Sequence, residues 1–261
     1  MLVNFLYKLS NIIIPSNCLN CNANTKHHLT LCIKCNESCI YCDQHCCIYC
    51  GLPVPPHPTE YMYYSRKLKQ NVIKCDFCYE KRYSFDAIFC ASIYGDIFSN
   101  LASRLKFAQE SQNAKFFANH ISQKLINQNL FYFDIVCCVP ISYQRLFFRG
   151  YNQSALIAKF IYRDLKNVNK NLVFLPNLLT KTKHTKPQTK LSKQERMENV
   201  KDCFAVNQKL SNKFKNKTIL IIDDIATTLS TIQECCKTLR NDEILNPEFI
   251  VASTFSRVDI I

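Results

Sequence analysis

Glycine is almost missing from this 261-residue chain, which has only Gly51, Gly95 and Gly150. That scarcity leaves no glycine-rich phosphate loop, and no P-loop pattern occurs. Long apolar runs are also missing. None reaches the 18 residues of a membrane-spanning helix, so stable membrane insertion is not expected. The first sixteen residues have no charged leader and no Ala-x-Ala site, which argues against a signal peptide. Their apolar residues are interrupted by Asn4, Lys8, Ser10 and Asn11, a pattern that fits an amphipathic helix packed on the protein. A cytoplasmic location is expected. Acids are short as well: 20 Asp and Glu stand against 33 Lys and Arg, a net charge of +13. Such a surplus favours polyanions, whether nucleic acid or phosphorylated metabolites, although a lysine-rich solvated surface would also produce it. No helix-turn-helix or RNA-recognition pattern is present.

Cysteine is what the chain has in excess. There are seventeen, and four pairs are spaced by two residues: Cys18/Cys21, Cys32/Cys35, Cys47/Cys50 and Cys75/Cys78. Each pair places two sulfurs on one tight knuckle, and two knuckles complete a tetrahedral four-thiolate site. Four knuckles therefore predict two structural Zn2+ ions. Cys39, Cys42 and Cys46 leave the register open, because Cys39/Cys42 is a fifth such pair. A disulfide framework and iron–sulfur ligation are the rival readings. The first suffers from the missing leader and the second from unsuitable spacing. His27, His28, His45 and His57 are substitute ligands in principle, but surface positions suit them better. Cys90, Cys137, Cys138, Cys203, Cys235 and Cys236 stand in apolar contexts and read as small core residues.

The segment Lys217–Thr231 combines an apolar run, two acids (Asp223, Asp224) and four hydroxyls (Thr227, Thr228, Ser230, Thr231) around Leu229. It reads as a buried parallel strand opening onto a helix whose stripe is Ile232, Cys235, Cys236 and Leu239. Ligands of open α/β sheets bind at that end of the strand. Free N–H groups of a first helical turn hold anions, and two carboxylates nearby suit a ligand that joins hydroxyls or Mg2+ to a phosphate, as a ribose 5-phosphate does. A capped helix with no ligand is the plain alternative.

Upstream, Ser84–Cys90 reads as a strand, and Tyr94–Phe107 and Ser111–Ile126 as helices. Asp134–Pro140 reads as a strand ended by proline, followed by a loop with Arg145 and Arg149 and a helix at Ser154–Leu165. Two arginines off a strand end suit a pyrophosphate, with a solvated turn as the alternative. Leu172–Leu175 and Phe249–Phe255 are further candidate strands. Lys181–Val200 reads as a long polar loop of the kind that closes over sites.

The acidic pair followed by hydroxyls resembles the PRPP-binding motif of type I phosphoribosyltransferases, PRPP being 5-phosphoribosyl 1-diphosphate. Leu229 stands where that family has glycine, and leucine is costly there if φ is positive. Over nearly the whole chain the sequence resembles the ComF family, which is related to competence proteins. The resemblance rests on Pro15 to Cys18, the paired cysteines, Tyr94-Gly95, Leu105-Lys106-Phe107 and Val139-Pro140. It continues through Arg145, Arg149-Gly150-Tyr151-Asn152-Gln153-Ser154, Lys183, Thr185, Gln188, Arg196-x-x-Asn199-Val200 and Phe204.

The resemblance implies an α/β fold, with a type I phosphoribosyltransferase-like parallel sheet flanked by helices over 83–261. An N-terminal helix and cysteine-rich double zinc ribbon would occupy 1–82. It implies PRPP with Mg2+ as ligand, held by Asp223 and Asp224 at the ribose and by Thr227–Thr231 at the 5-phosphate. Arg145, Arg149 and Lys106 would face the diphosphate. Transfer of ribose 5-phosphate to a nucleophile is one reading, for which no residue presents itself as the base. A non-catalytic protein that handles single-stranded DNA beside DNA-processing partners is the other, and a zinc-dependent interaction module is a third.

Overall fold

A computed structural model describes residues 16–25, 30–42, 45–54, 62–65, 68, 70–107, 111–130, 132–183, 185 and 192–258. The helix expected over the first sixteen residues lies outside these, Ser16 apart, as do His27, His28, His57 and Gln188.

The first half of the chain contributes β1 (Ser16–Asn17), β2 (Asn24–Thr25), α1 (Ile33–Glu37), β3 (Met62–Ser65), β4 (Gln70–Ile73) and α2 (Asp76–Tyr79). It continues with β5 (Ala87–Ile93), α3 (Asp96–Phe107), α4 (Ser111–Asn127) and β6 (Ile135–Cys138). The second half contributes α5 (Tyr143–Arg149), α6 (Gln153–Lys166), β7 (Val173–Phe174), β8 (Leu179–Lys181), α7 (Lys193–Val200) and β9 (Phe204–Val206). After these come α8 (Gln208–Ser211), β10 (Thr218–Ala226), α9 (Ser230–Arg240) and β11 (Phe249–Arg257).

Five strands form one parallel sheet in the order β5-β11-β10-β6-β7. Parallel sheets are covered on both faces, so their strands are apolar without interruption. Ile219 to Ile222 of β10 meet that demand, all at most 1% exposed. Side chains alternate along a strand. Leu220 and Ile222 join the core made with Phe98, Leu101 and Leu105 of α3, Phe117 and Ile121 of α4, and Ile157 and Ile161 of α6. Ile219 and Ile221 join the opposite core with Ile232, Cys235, Cys236 and Leu239, the stripe read on α9.

Several boundaries differ from the sequence reading. The first sheet strand spans Ala87–Ile93 rather than Ser84–Cys90. Asp86 donates its N–H to Ile250 O at 2.8 Å while its carboxylate accepts the Ile250 N–H at 2.8 Å and pairs with Arg240, and residue pairing with β11 begins at Ala87. At the other end Ser92 belongs to the strand because its hydroxyl lies 2.7 Å from that of Ser256. The Arg145 loop is a helix. Ser142 caps its start through the Arg145 N–H, and Gly150 ends it at φ 76°. The polar stretch Lys181–Val200 begins in β8, which pairs antiparallel with β9, and ends in α7. A reciprocal Ser192–Glu195 capping box explains α7, a pattern that the lysine content obscured.

The cysteine-rich segment lies along the free edge of β5. Ile88 and Ile93 donate to the Ile48 and Ile40 carbonyls at 2.8 and 2.9 Å, and Cys42 donates to Ala91 O at 2.9 Å. An edge strand exposes unpaired backbone groups, and these contacts occupy part of that edge.

Candidate functional site

β10 remains in register with β11 through both acids as far as Ala226, opposite Arg257. Asp223 Oδ1 accepts the Ser154 hydroxyl at 2.9 Å, from the first turn of α6. That turn is placed by Asn152, which accepts the Ser154 N–H and donates to Val139 O, both at 3.0 Å. Asp224 Oδ2 lies 2.7 Å from Lys106 Nζ, near the end of α3. The two carboxylates differ electrostatically. Burial, and then the neighbouring Asp224 charge, push the Asp223 carboxyl up to about 7. Burial opposes ionisation of Asp224 too, but Lys106 outweighs it and holds that carboxyl below its ordinary range. Burial also works against the Lys106 ammonium, whose pKa the Asp224 and Asp223 charges nevertheless raise.

Beyond the strand, the backbone N–H groups of Thr227, Thr228, Leu229 and Ser230 make no hydrogen bond among the described residues. The Thr228 and Ser230 hydroxyls are 2.7 Å apart. Such a row of unpartnered donors at a helix start can receive an anion. Leu229 adopts φ 63°, ψ 0°. Left-handed backbone costs a side-chain-bearing residue about 1–2 kcal/mol. Its side chain is only 6% exposed, within the core that contains Ile232 and Cys235. Burying a leucine contributes about 1.5–3 kcal/mol, so the strain is offset without a glycine.

Arg145 and Arg149 stand half-buried on α5. Arg149 Nη1 donates to Gln153 Oε1 at 3.2 Å, and its guanidinium lies 5.2 Å from the Phe107 ring centre. Lys181 Nζ is 2.8 Å from Thr185 Oγ1. Burial and then the charge of Arg149 lower the Arg145 pKa, and burial and then Arg145 lower that of Lys181. Cations thus oppose one another here, an arrangement that a bound anion relieves. Outside them lies an exposed aromatic surface of Tyr143, Phe147 and Phe148, the last 86% exposed, with Phe107 beside Arg149. No acid stands between Asp134 and Asp164 in the sequence.

The sequence reading missed three members of this site. Ser154 reads from sequence as the end of the Arg149–Ser154 segment and the start of a helix, and Lys181 as the start of a polar loop that closes over the site, neither as a contact of the acids or cations. Arg257 was missed altogether, because the last strand was expected to stop at Phe255. It is 3% exposed. Its Nε donates to Cys50 O at 2.8 Å, and its Nη1 to Ala226 O at 3.2 Å, to Val258 O at 2.9 Å and to Thr227 O.

The eight paired cysteines gather as two clusters, Cys18/Cys21/Cys32/Cys35 and Cys47/Cys50/Cys75/Cys78, with all sulfurs of a cluster within 4.8 Å of one another. The Cys21–Cys32 and Cys50–Cys75 sulfurs are 3.7 and 3.8 Å apart. A tetrahedron with Zn–S bonds of 2.3 Å has edges of about 3.8 Å, so the thiols fit zinc. The Tyr49 and Cys75 N–H groups donate to Cys47 Sγ at 3.5 and 3.4 Å, as donors around a metal-bound thiolate do. All seventeen thiols are free of disulfides. Cys39, Cys42, Cys46 and His45 stand outside both clusters. The six cysteines read as core residues are all buried. Among the described residues no helix is long and apolar enough to cross a membrane.

No family model matches the chain. It is 26% identical to Competence protein F of Haemophilus influenzae over 239 residues, which is 85% of this chain and 90% of that protein. It is 24% identical to the DNA utilization protein YhgH of Escherichia coli K12, over 81% of this chain and 85% of that one. The Salmonella typhimurium protein of the same name is 26% identical over 74% and 77%. With two four-thiol clusters ahead of a five-stranded parallel sheet, and likeness along most of both chains, this protein is similar to these competence and DNA utilization proteins, in keeping with its resemblance to the ComF family.

Proposed function

We propose that the carboxyl end of β10 binds PRPP with its Mg2+, and that the protein uses this site while handling DNA. One observation carries the reading. Two carboxylates of unequal acidity adjoin four unpartnered backbone N–H groups and a set of opposed cations. The 5-phosphate would lie on the Thr227–Thr231 turn, with its hydroxyls closing around it. Asp223 and Asp224 would accept the ribose hydroxyls. Arg145 and Arg149 would meet the diphosphate, with Lys181 completing the positive field. A diphosphate contact from Lys106 requires its pair with Asp224 to open or be shared. If a transfer follows, these cations stabilise the charge that develops on the departing diphosphate.

The DNA part of the reading draws on the relatives, named for competence and DNA utilization. The aromatic face of α5 supports it. Exposed rings next to arginines suit single strands, since bases stack on rings and phosphates pair with the cations. It would place a single strand across the mouth of the phosphosugar site.

The test is calorimetric titration of zinc-loaded protein with PRPP-Mg, beside its Asp223→Asn variant. Binding by the wild type that the variant loses supports the site. Absence of binding by folded, zinc-loaded protein overturns it. Labelled oligo-dT, titrated over a range of salt against Phe147→Ala and Phe148→Ala, tests the aromatic face separately. Unchanged affinity in both variants would remove it.

A further inference from the structure

Arg257 is the most unusual buried group of the molecule. A guanidinium removed from water needs compensation, ordinarily from a carboxylate. Among the described residues Arg257 enters no ion pair, and its hydrogen-bond partners are backbone carbonyls. Those carbonyls belong to two separate places. Cys50 is a member of the second thiol cluster. Ala226 and Thr227 lead into the turn before α9. Four thiolates around one Zn2+ leave net negative charge, so a loaded cluster would supply the counter-charge that no side chain among the described residues provides.

The contact also fixes the direction of the turn. In a trans peptide the carbonyl of one residue and the N–H of the next point opposite ways. Drawing Ala226 O and Thr227 O toward Arg257 therefore turns the Thr227 and Thr228 N–H groups away from it. These are two of the four unpartnered donors. On the other side, Gly51 follows Cys50 at φ 74°, and a Cβ there would meet Cys90 Sγ at 2.4 Å, so the knuckle is seated tightly against β5.

We propose that Arg257 couples the second thiol cluster to the 227–231 turn, so that metal on Cys47, Cys50, Cys75 and Cys78 sets the turn's affinity for a phosphorylated ligand. The ligand half rests on the PRPP reading given above. The mechanical half does not. Loss of the metal frees the Cys50 carbonyl and removes the counter-charge of Arg257. The arginine then moves toward water, and the two peptides lose their enforced direction. Coupling of this kind is reciprocal: ligand on the turn must slow metal loss by the factor through which metal tightens ligand binding.

The experiment has one arm with ligand and one without. In the first, zinc release from wild-type protein into a chromogenic chelator is timed with and without saturating PRPP-Mg. Release of one of the two zinc ions is expected to slow on the order of tenfold. In the second, hydrogen exchange of the 226–231 peptide is followed in wild type, Cys75→Ser, Arg257→Lys and the double variant. Cys75→Ser is expected to speed exchange in the wild-type background and to add nothing once Arg257 is lysine, which keeps the charge but not the fork. Equal effects of Cys75→Ser in both backgrounds would overturn the coupling. So would ligand-independent zinc release from protein that binds PRPP. If zinc-loaded protein does not bind PRPP, the phosphosugar reading falls, and the exchange arm still decides the coupling. If Arg257→Lys does not fold, exchange in wild type and Cys75→Ser still decides: equal 226–231 exchange in the two overturns the coupling.

Discussion

The thiol-rich segment before residue 80 and the sheet after it use the same amino acid in opposite ways. In the first, elements are too short to stand alone: β1 and β2 have two residues each, α1 five and α2 four. Sulfurs gathered in fours supplement a small apolar cluster of Leu52, Val54 and Ile73, and metal bound there would contribute folding free energy. In the sheet, β10 and β11 run nine residues each, and Cys137, Cys138, Cys235 and Cys236 fill space among isoleucines. Burial holds those thiols well above their ordinary pKa, so they stay neutral. All eight clustered thiols come in pairs spaced by two residues, but Cys39/Cys42 has that spacing too and stands outside both clusters, so spacing alone does not separate the two uses.

The largest test of this contrast exchanges one cysteine of each kind. Cys78→Ala is expected to cost one bound zinc and the protection of residues 47–54 and 70–78 against hydrogen exchange. Cys137→Ala is expected to keep both zinc ions and lose about 1–2 kcal/mol in denaturant unfolding. Equal zinc content in the two variants would erase the distinction. The second test concerns the seam between the regions. Gly51→Ala must place a Cβ against Cys90 Sγ at positive φ. A loss of about 2–5 kcal/mol is expected from strain and overpacking together, and a variant as stable as wild type would show that the knuckle seats loosely.

A smaller effect is expected at Leu229. Leu229→Gly relieves about 1–2 kcal/mol of backbone strain but gives up about 1.5–3 kcal/mol of burial. Net destabilisation of at most about 2 kcal/mol should appear in urea melts. A clear gain would mean that the leucine contributes little to the core.

A pH slope tests the acidic pair. The folded Asp223 carboxyl titrates at about 7, above its ordinary value of 3.8. Its protonated form is therefore favoured by folding, a contribution complete below 3.8 and lost as pH rises through 7. Wild-type Tm should fall between pH 5 and 8 relative to Asp223→Asn. Parallel curves would place Asp223 in a more solvated setting.

The apolar run at 219–222, the stripe on α9 and the four cysteine pairs were legible because their periods are local. The helix at Tyr143–Arg149 was not. Its Phe147 and Phe148 are exposed, so it shows no apolar face toward the core, and only the Ser142 cap and Gly150 mark its ends. The start of β5 was misplaced for a related reason: whether Asp86 belongs to the strand depends on Arg240, 154 residues away.

Sequence alone determined the sheet's central strand, the acidic pair at its end and the paired cysteines, because chain neighbours define each of them. Tertiary structure decided which knuckles pair, that Lys106 holds Asp224, and that Ser154 meets Asp223. It also decided that Arg257 joins Cys50 to Thr227 across 207 and 30 residues of chain. Burial and opposing charge arise only when distant segments meet, and they make two adjacent aspartates chemically unlike.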